Sequence, residues 1–184
     1  MLRAVESIKR FFVHSTWTVE HLRRKQIGAL YRWVKVVPDS VSHNIVTDEG
    51  INSTLNIMFH GATQIATWYV LIFDTNTTCT AAMTYAVPVF TESTAYDEAN
   101  RPAFVESEST AKTLTNSASK AVFTMNATVD IYGGALVGGG SSPSGKGDVG
   151  GGGTLFCASK FDALKAANND DIINVTVTIS DASV

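Results

Sequence analysis

The chain has 184 residues, enough for one domain and a tail but short for two full cores. It is 45% hydrophobic and only 17% charged, with Thr, Ser, Asn, Ala and Gly in place of charge, as in a β-rich domain with many turns. No stretch approaches the roughly 20 apolar residues of a membrane-spanning helix, and Ile8 to Val13 is too short an apolar run for a signal peptide. A reducing cytoplasm is therefore the expected place of synthesis.

The formal net charge of −3 is unevenly spread. Residues 1–47 hold eight Lys/Arg and three Asp/Glu, a net +5, and the remainder is net −8. A basic arm on an acidic body points to electrostatic docking on a partner. Within the arm, Leu2, Val5, Ile8 and Phe12 have a helix-like spacing, read either as a short amphipathic helix or as an arm that orders on binding. Residues 16–37 read as a β-hairpin broken at Arg23-Arg24-Lys25-Gln26 and ended by Pro38-Asp39. Tyr31, Trp33 and Lys35 share one face of its second strand, and Arg32, Val34 and Val36 the other. The domain is expected to begin at 48, so that a chain lacking 1–47 would still fold.

Thr47-Asp48-Glu49 is a helix start, a hydroxyl cap followed by acids in the first turn. Ile51, Leu55, Met58 and Phe59 then fall on one helical face, and Gly61 is placed to end it. The expectation is a helix over 48–60 packed on the following sheet.

From Thr67 onward strands and turns alternate. Expected strands are Trp68–Phe73, Tyr85–Phe90 (an edge, given Pro88), Ala111–Thr115, Lys120–Met125, Val129–Val137, Thr154–Ala158 and Ile172–Ile179. In the last, Ile173, Val175, Val177 and Ile179 form one face and Asn174, Thr176 and Thr178 the other. The fold class is all-β, a β-sandwich or jelly-roll-like domain over 48–184 with one short helix and an extended arm with its hairpin. Eleven of the 14 glycines lie between Gly133 and Gly153, so 138–153 is a glycine-rich loop, mobile or in contact with a partner.

Residues able to carry chemistry form no recognisable constellation. Gly145-Lys146-Gly147-Asp148 lacks the phosphate-loop spacing and is not followed by a helix. His14, His21, His43 and His60 have no metal-ligand spacing, and no GxSxG occurs. Asp97-Glu98, Glu106 with Glu108, and Asp170-Asp171 read as turns and solvated faces rather than a glycosidase pair. Asn168-Asn169-Asp170-Asp171 reads as turn chemistry rather than a calcium loop. Cys79 and Cys157 have no CxxC spacing and lie near apolar strands, so both are expected as buried free thiols. No catalytic residue, cofactor or metal is expected. The candidate partner-binding residues are Arg10, Trp17, Arg23, Arg24, Lys25, Tyr31 and Trp33. Basic and aromatic side chains together can stack on single-stranded nucleic acid, but the modest charge favours a protein partner with Trp and Arg as anchors.

Residues 50–69, from Gly50-Ile51-Asn52 to Thr67-Trp68-Tyr69, resemble the opening of small virion structural proteins of tailed bacteriophages. So do Thr94-Ala95-Tyr96-Asp97-Glu98-Ala99-Asn100-Arg101-Pro102-Ala103, the stretch from Asn116-Ser117-Ala118-Ser119-Lys120 to Thr128, and Ile131-Tyr132-Gly133-Gly134-Ala135-Leu136-Val137. The resemblance spans about residues 46–180; the glycine-rich loop of this chain is longer. It implies a non-enzymatic virion component, a capsid cement or decoration protein bridging major capsid subunits and neighbouring copies of itself, homo-oligomeric in the particle. A tail, collar or fibre-attachment part, or a receptor- or glycan-binding module, is the alternative. Neither nucleic acid nor membrane is an expected partner, and the expected location is the virion.

Overall fold

The structure, a computed structural model, describes residues 13–141, 143–147 and 152–181. The described residues form ten strands and one helix. The strands are β1 (Val13–Ile27), β2 (Leu30–Lys35), β3 (Ser40–His43), β4 (Ile45–Val46), β5 (Trp68–Phe73), β6 (Thr113–Thr115), β7 (Ala121–Thr124), β8 (Val129–Gly138), β9 (Thr154–Ala167) and β10 (Ile172–Asp181). The helix, α1, spans Asp48–Phe59.

All pairings are antiparallel. The larger sheet runs β2-β1-β10-β6, with β3 also on β1 and β7 also on β10; the smaller runs β4-β9-β8-β5. The fold is the expected all-β, sandwich-like one. Its core lies between the sheets, where Trp17, Val19, Ile173, Val175 and Val177 meet Val70, Ile72, Ile131, Leu136 and Phe161. The alternation read in β10 is the one observed: Ile173, Val175 and Val177 are wholly buried, and Ile179 packs against the same core.

β5 is an unbroken apolar run because both its faces are covered. Val70 and Ile72 join the core between the sheets, while Leu71 and Phe73 join a second cluster with Cys79, Met83, Tyr85 and Phe90. That cluster is roofed by the irregular chain between β5 and β6. The strand expected over Tyr85–Phe90 is not formed. Val87 donates its N–H to Thr84 Oγ1, and Thr84 donates its own to Val87 O, so the chain turns at this point. Tyr85 and Phe90 are buried by that turn, and Phe90 stacks on Phe73 with ring centroids 4.5 Å apart. β8 accommodates the two largest intruders with adjacent glycines. A Cβ on Gly133 would lie 2.0 Å from Phe73 Cζ, and one on Gly134 would lie 2.7 Å from Trp17 Cζ3.

The described sandwich already includes β1 from Val13, not only residues from 48 onward, and the boundary expected at 47/48 separates nothing. β1 is the central strand of the larger sheet, paired with β10 at ten positions from Val13 to Leu22. Trp17, expected on a docking surface, has no exposed area.

α1 forms where expected and faces the other way. Its N-terminus is clamped on β9. Thr47 N–H donates to Phe156 O at 3.0 Å, and its hydroxyl donates to Leu155 O and accepts from Gly50 N at 2.9 Å. Glu49 accepts from the Tyr85 and Leu155 amides. The expected inward face is outward: Met58 is 62% and Phe59 77% exposed, with Ile51 and Leu55 also exposed. Gly50 is the helix's buried residue, and a Cβ there would lie 2.4 Å from Phe156 O. In an open helix Gly→Ala stabilises by about 1 kcal/mol. In α1, Gly50→Ala must lift the helix from β9 and is expected to destabilise by about 1–3 kcal/mol. Chemical denaturation reads the sign.

Candidate docking hairpin

β1 outlasts its sheet. Beyond Leu22 it pairs with β2 alone, from Arg23↔Val34 to Ile27↔Leu30, so 23–35 projects as a two-stranded ribbon. The ribbon closes through Gly28-Ala29. Gly28 has φ 63°, which fits the hairpin turns that place glycine first. A two-stranded ribbon alone is marginally stable in water, so something must hold its base.

Asp171 holds it. This carboxylate is buried at the turn between β9 and β10. It accepts from Arg23 Nη2 at 2.6 Å and Arg23 Nε at 2.9 Å, lies 2.8 Å from His21 Nε2, and accepts the Asn168 amide at 2.8 Å. Burial pushes the carboxyl up, but the bonds from Arg23, Asn168 and His21 outweigh it and hold Asp171 below its ordinary value. Asn168–Asp171 is thus a turn, as expected, with one member given over to anchoring.

A depressed carboxylate contributes stability above its unfolded pKa of about 4, and that contribution is lost as pH falls through the folded value. Asp171→Asn is expected to cost about 2 kcal/mol at neutral pH, the scale of hydrogen bonds to a charged group. The difference from the parent should shrink as pH falls below about 4. Thermal melts from pH 7 to pH 3 check this.

Above the anchor the ribbon is open to solvent. Ile27, Leu30, Tyr31 and Trp33 are 54%, 61%, 58% and 47% exposed. Arg24 faces Trp33 across the ladder, and its guanidinium lies 4.6 Å from the Tyr31 ring centroid. Lys25 stands directly opposite Arg32. Like charges at opposed positions destabilise a hairpin, and among the described residues neither makes an ion pair. Lys35 is committed to Asp39 at 2.7 Å. Beside the ribbon runs an open groove of about 550 Å³, lined by Arg24, Tyr31, Trp33, Thr124 and the 168–172 turn.

Of the seven expected partner-binding residues, the ribbon brings together Arg23, Arg24, Lys25, Tyr31 and Trp33. Arg23 is spent on the anchor, Trp17 belongs to the core, and Arg10 lies outside the described residues. Arg32, Ile27 and Leu30 stand exposed on the same ribbon and were not among the expected candidates; their place in the hairpin pattern was the signal for them.

The glycine-rich loop, expected as mobile or in contact with a partner, is clasped onto the body in its described part. Arg101 donates its backbone N–H to Ser144 O and Nη1 to Pro143 O. Glu92 accepts the Gly147 amide at 2.7 Å, and Lys146 donates to Tyr96 O at 2.7 Å while lying over the Tyr96 ring. The lysine of the Gly-Lys pair is thereby committed within the fold.

Cys79 and Cys157 are free and buried. Burial pushes their thiols up to about 11 and about 12. Among the described residues no group of three or more His, Cys, Asp or Glu is placed to hold a metal ion, and no helix is long and apolar enough to cross a membrane.

Comparisons with protein-family models, curated proteins and solved structures return no match to this chain.

Proposed function

We propose that this chain is a non-enzymatic structural protein of a tailed-phage particle, a cement or decoration protein that docks on the major capsid protein through the 23–35 ribbon. The particle comes from the sequence resemblance over residues 46–180. The docking role is carried by one observation, a projecting ribbon whose exposed Tyr31 and Trp33 stand among Arg24, Lys25 and Arg32 with no acid between Glu20 and Asp39. Aromatic and arginine side chains are the usual anchors of protein interfaces, and three cations that make no ion pair among the described residues call for an acidic partner surface. Many such contacts, repeated by the symmetry of a shell, reinforce one another and stabilise neighbouring subunits.

The test is co-sedimentation of the full chain with particles lacking it. Charge reversal at Arg24, Lys25 and Arg32 is expected to abolish binding at low salt and to matter less as salt rises, since exposed charges are screened beyond about 8 Å at physiological ionic strength. Trp33→Ala is expected to weaken binding at every salt by roughly 30-fold, the scale of an anchor residue. Binding unchanged in both variants removes the ribbon as the docking element. Binding to glycans instead of particles makes Tyr31 and Trp33 a sugar platform.

A further inference from the structure

The ribbon has an open edge. β2 ends the larger sheet: it pairs with β1 on one side and, among the described residues, with nothing on the other. Val36 donates its N–H to His21 O at 2.9 Å, so these two residues are a hydrogen-bonded pair of the ladder. Antiparallel pairs alternate between bonded and non-bonded, which makes Val34↔Arg23, Arg32↔Lys25 and Leu30↔Ile27 the bonded pairs of the ribbon. The backbone N–H and C=O groups of Tyr31, Trp33 and Lys35 therefore point away from β1. Proteins usually close such an edge with a proline, a bulge or a covering element. β2 holds no proline, its register with β1 is unbroken, and every residue of it except Val34 is exposed.

The side chains along this edge select what can pair with it. Leu30, Arg32 and Val34 lie on one face of β2, and Tyr31, Trp33 and Lys35 on the other. On the first face Lys25 stands opposite Arg32, a like-charged pair that no acid of the ribbon relieves. An acid on an added strand beside Arg32 relieves it. On the second face Tyr31 and Trp33 offer exposed aromatic area to an apolar neighbour. A second copy of this chain is a poor occupant. Residues 23–35 hold five Lys/Arg and no Asp/Glu, so two ribbons laid edge to edge repel.

We propose that β2 takes up an extended segment of the docking partner as an added strand, and that this segment alternates acidic and apolar residues. The inference rests on the ribbon being the docking element and adds how the partner is held. Main-chain bonds to Tyr31, Trp33 and Lys35 give affinity, and the alternating side chains give specificity, acids toward Arg32 and Lys25 and apolar groups toward Tyr31 and Trp33.

The test is amide hydrogen exchange on the full chain with a short synthetic peptide alternating Glu and Val. At saturating peptide the Tyr31, Trp33 and Lys35 amides are expected to exchange at least about tenfold more slowly than without it. The Arg32 and Val34 amides, already bonded to β1, report that the ribbon is intact. Trp33→Pro removes an outward N–H that β1 does not use, a place where an edge strand tolerates proline. It is expected to bind the peptide at least about tenfold more weakly than Trp33→Ala, which loses the side chain alone. Absence of peptide binding overturns the proposal. Binding that leaves the three outward amides unprotected also overturns it, and docking of the ribbon on particles through side chains then stands or falls by co-sedimentation. Protection of those amides that appears without peptide and grows with protein concentration overturns it in favour of a second copy.

Discussion

A chain lacking residues 1–47 is expected not to fold. The basic charge of that segment suggests an appendage, yet its strand β1 is hydrogen-bonded to β10 along ten residue pairs and carries β2 and β3 on its other side. Truncation strips β10 of a neighbour and removes Trp17, Val19 and His21, all at most 1% exposed, from the core. Trp17 fills the space left by Gly134 and packs on Phe161 with ring centroids 6.5 Å apart. Trp17→Ala alone is expected to cost about 3–5 kcal/mol, a large share of the about 5–15 kcal/mol that holds an ordinary domain. Loss of the whole strand exceeds that. Circular dichroism and solubility of the 48–184 fragment check it; a soluble fragment that unfolds cooperatively contradicts a sheet centred on β1.

Arg101→Met is expected to be the most damaging single charge removal. Arg101 and Glu92 form a two-pronged pair, Nε to Oε1 at 2.9 Å and Nη2 to Oε2 at 2.6 Å, with side chains 1% and 5% exposed. Arg101 Nη1 also donates to Tyr85 Oη at 3.0 Å and to Pro143 O at 2.9 Å. Removing the guanidinium leaves Glu92 charged and buried and frees the base of the glycine-rich loop. Breaking a buried pair from one side costs about 3–5 kcal/mol, which in a domain of this size lowers the melting temperature by roughly 10 °C. Arg101→Met with Glu92→Leu should cost less than the two single changes added together, since neither charge is then stranded. Melting curves of the three variants decide it; an Arg101→Met protein as stable as its parent shows that this pair does not hold the loop and the second cluster together.

The resemblance motifs have structural work in this fold. Arg101, in the Thr94–Ala103 stretch, ties the loop, and Tyr96 of the same stretch packs edge-on to Phe123. Asn116 bridges the gap between β6 and β7 by accepting from the Val177 amide and donating to Val175 O. Gly133 and Gly134 open β8 to Phe73 and Trp17. These roles concern the fold and not the proposed docking.

Sequence pattern went furthest where one physical rule acted alone. Period-two alternation identified β10 and the correct inward face, and a hydroxyl cap followed by acids located α1. Alternation also ran through Trp17, Val19 and His21, which was the signal that this segment is half-buried strand rather than arm; excess charge nearby obscured it. Periodicity names the apolar face of a helix and not the direction it faces. That direction was set by Gly50 and Thr47 seating on β9, where Thr47 bonds a residue 108 positions away in the chain. The Arg23–Asp171 anchor was hidden for the same reason: its partners are 148 residues apart. At Tyr85–Phe90 an apolar composition resembled a strand, but those side chains are buried by a turn that roofs the second cluster.

In the proposed function the 23–35 ribbon fastens this protein to a phage shell. A reconstruction of the particle at a resolution that traces side chains tests it most directly. The expected result is density for this sandwich in hundreds of copies on the head, with Tyr31 and Trp33 buried against the major capsid protein and Arg24, Lys25 and Arg32 facing its carboxylates. Density confined to a dozen or fewer copies at the tail contradicts the capsid assignment. A ribbon pointing into solvent, with the contact made by another face, contradicts the docking claim itself.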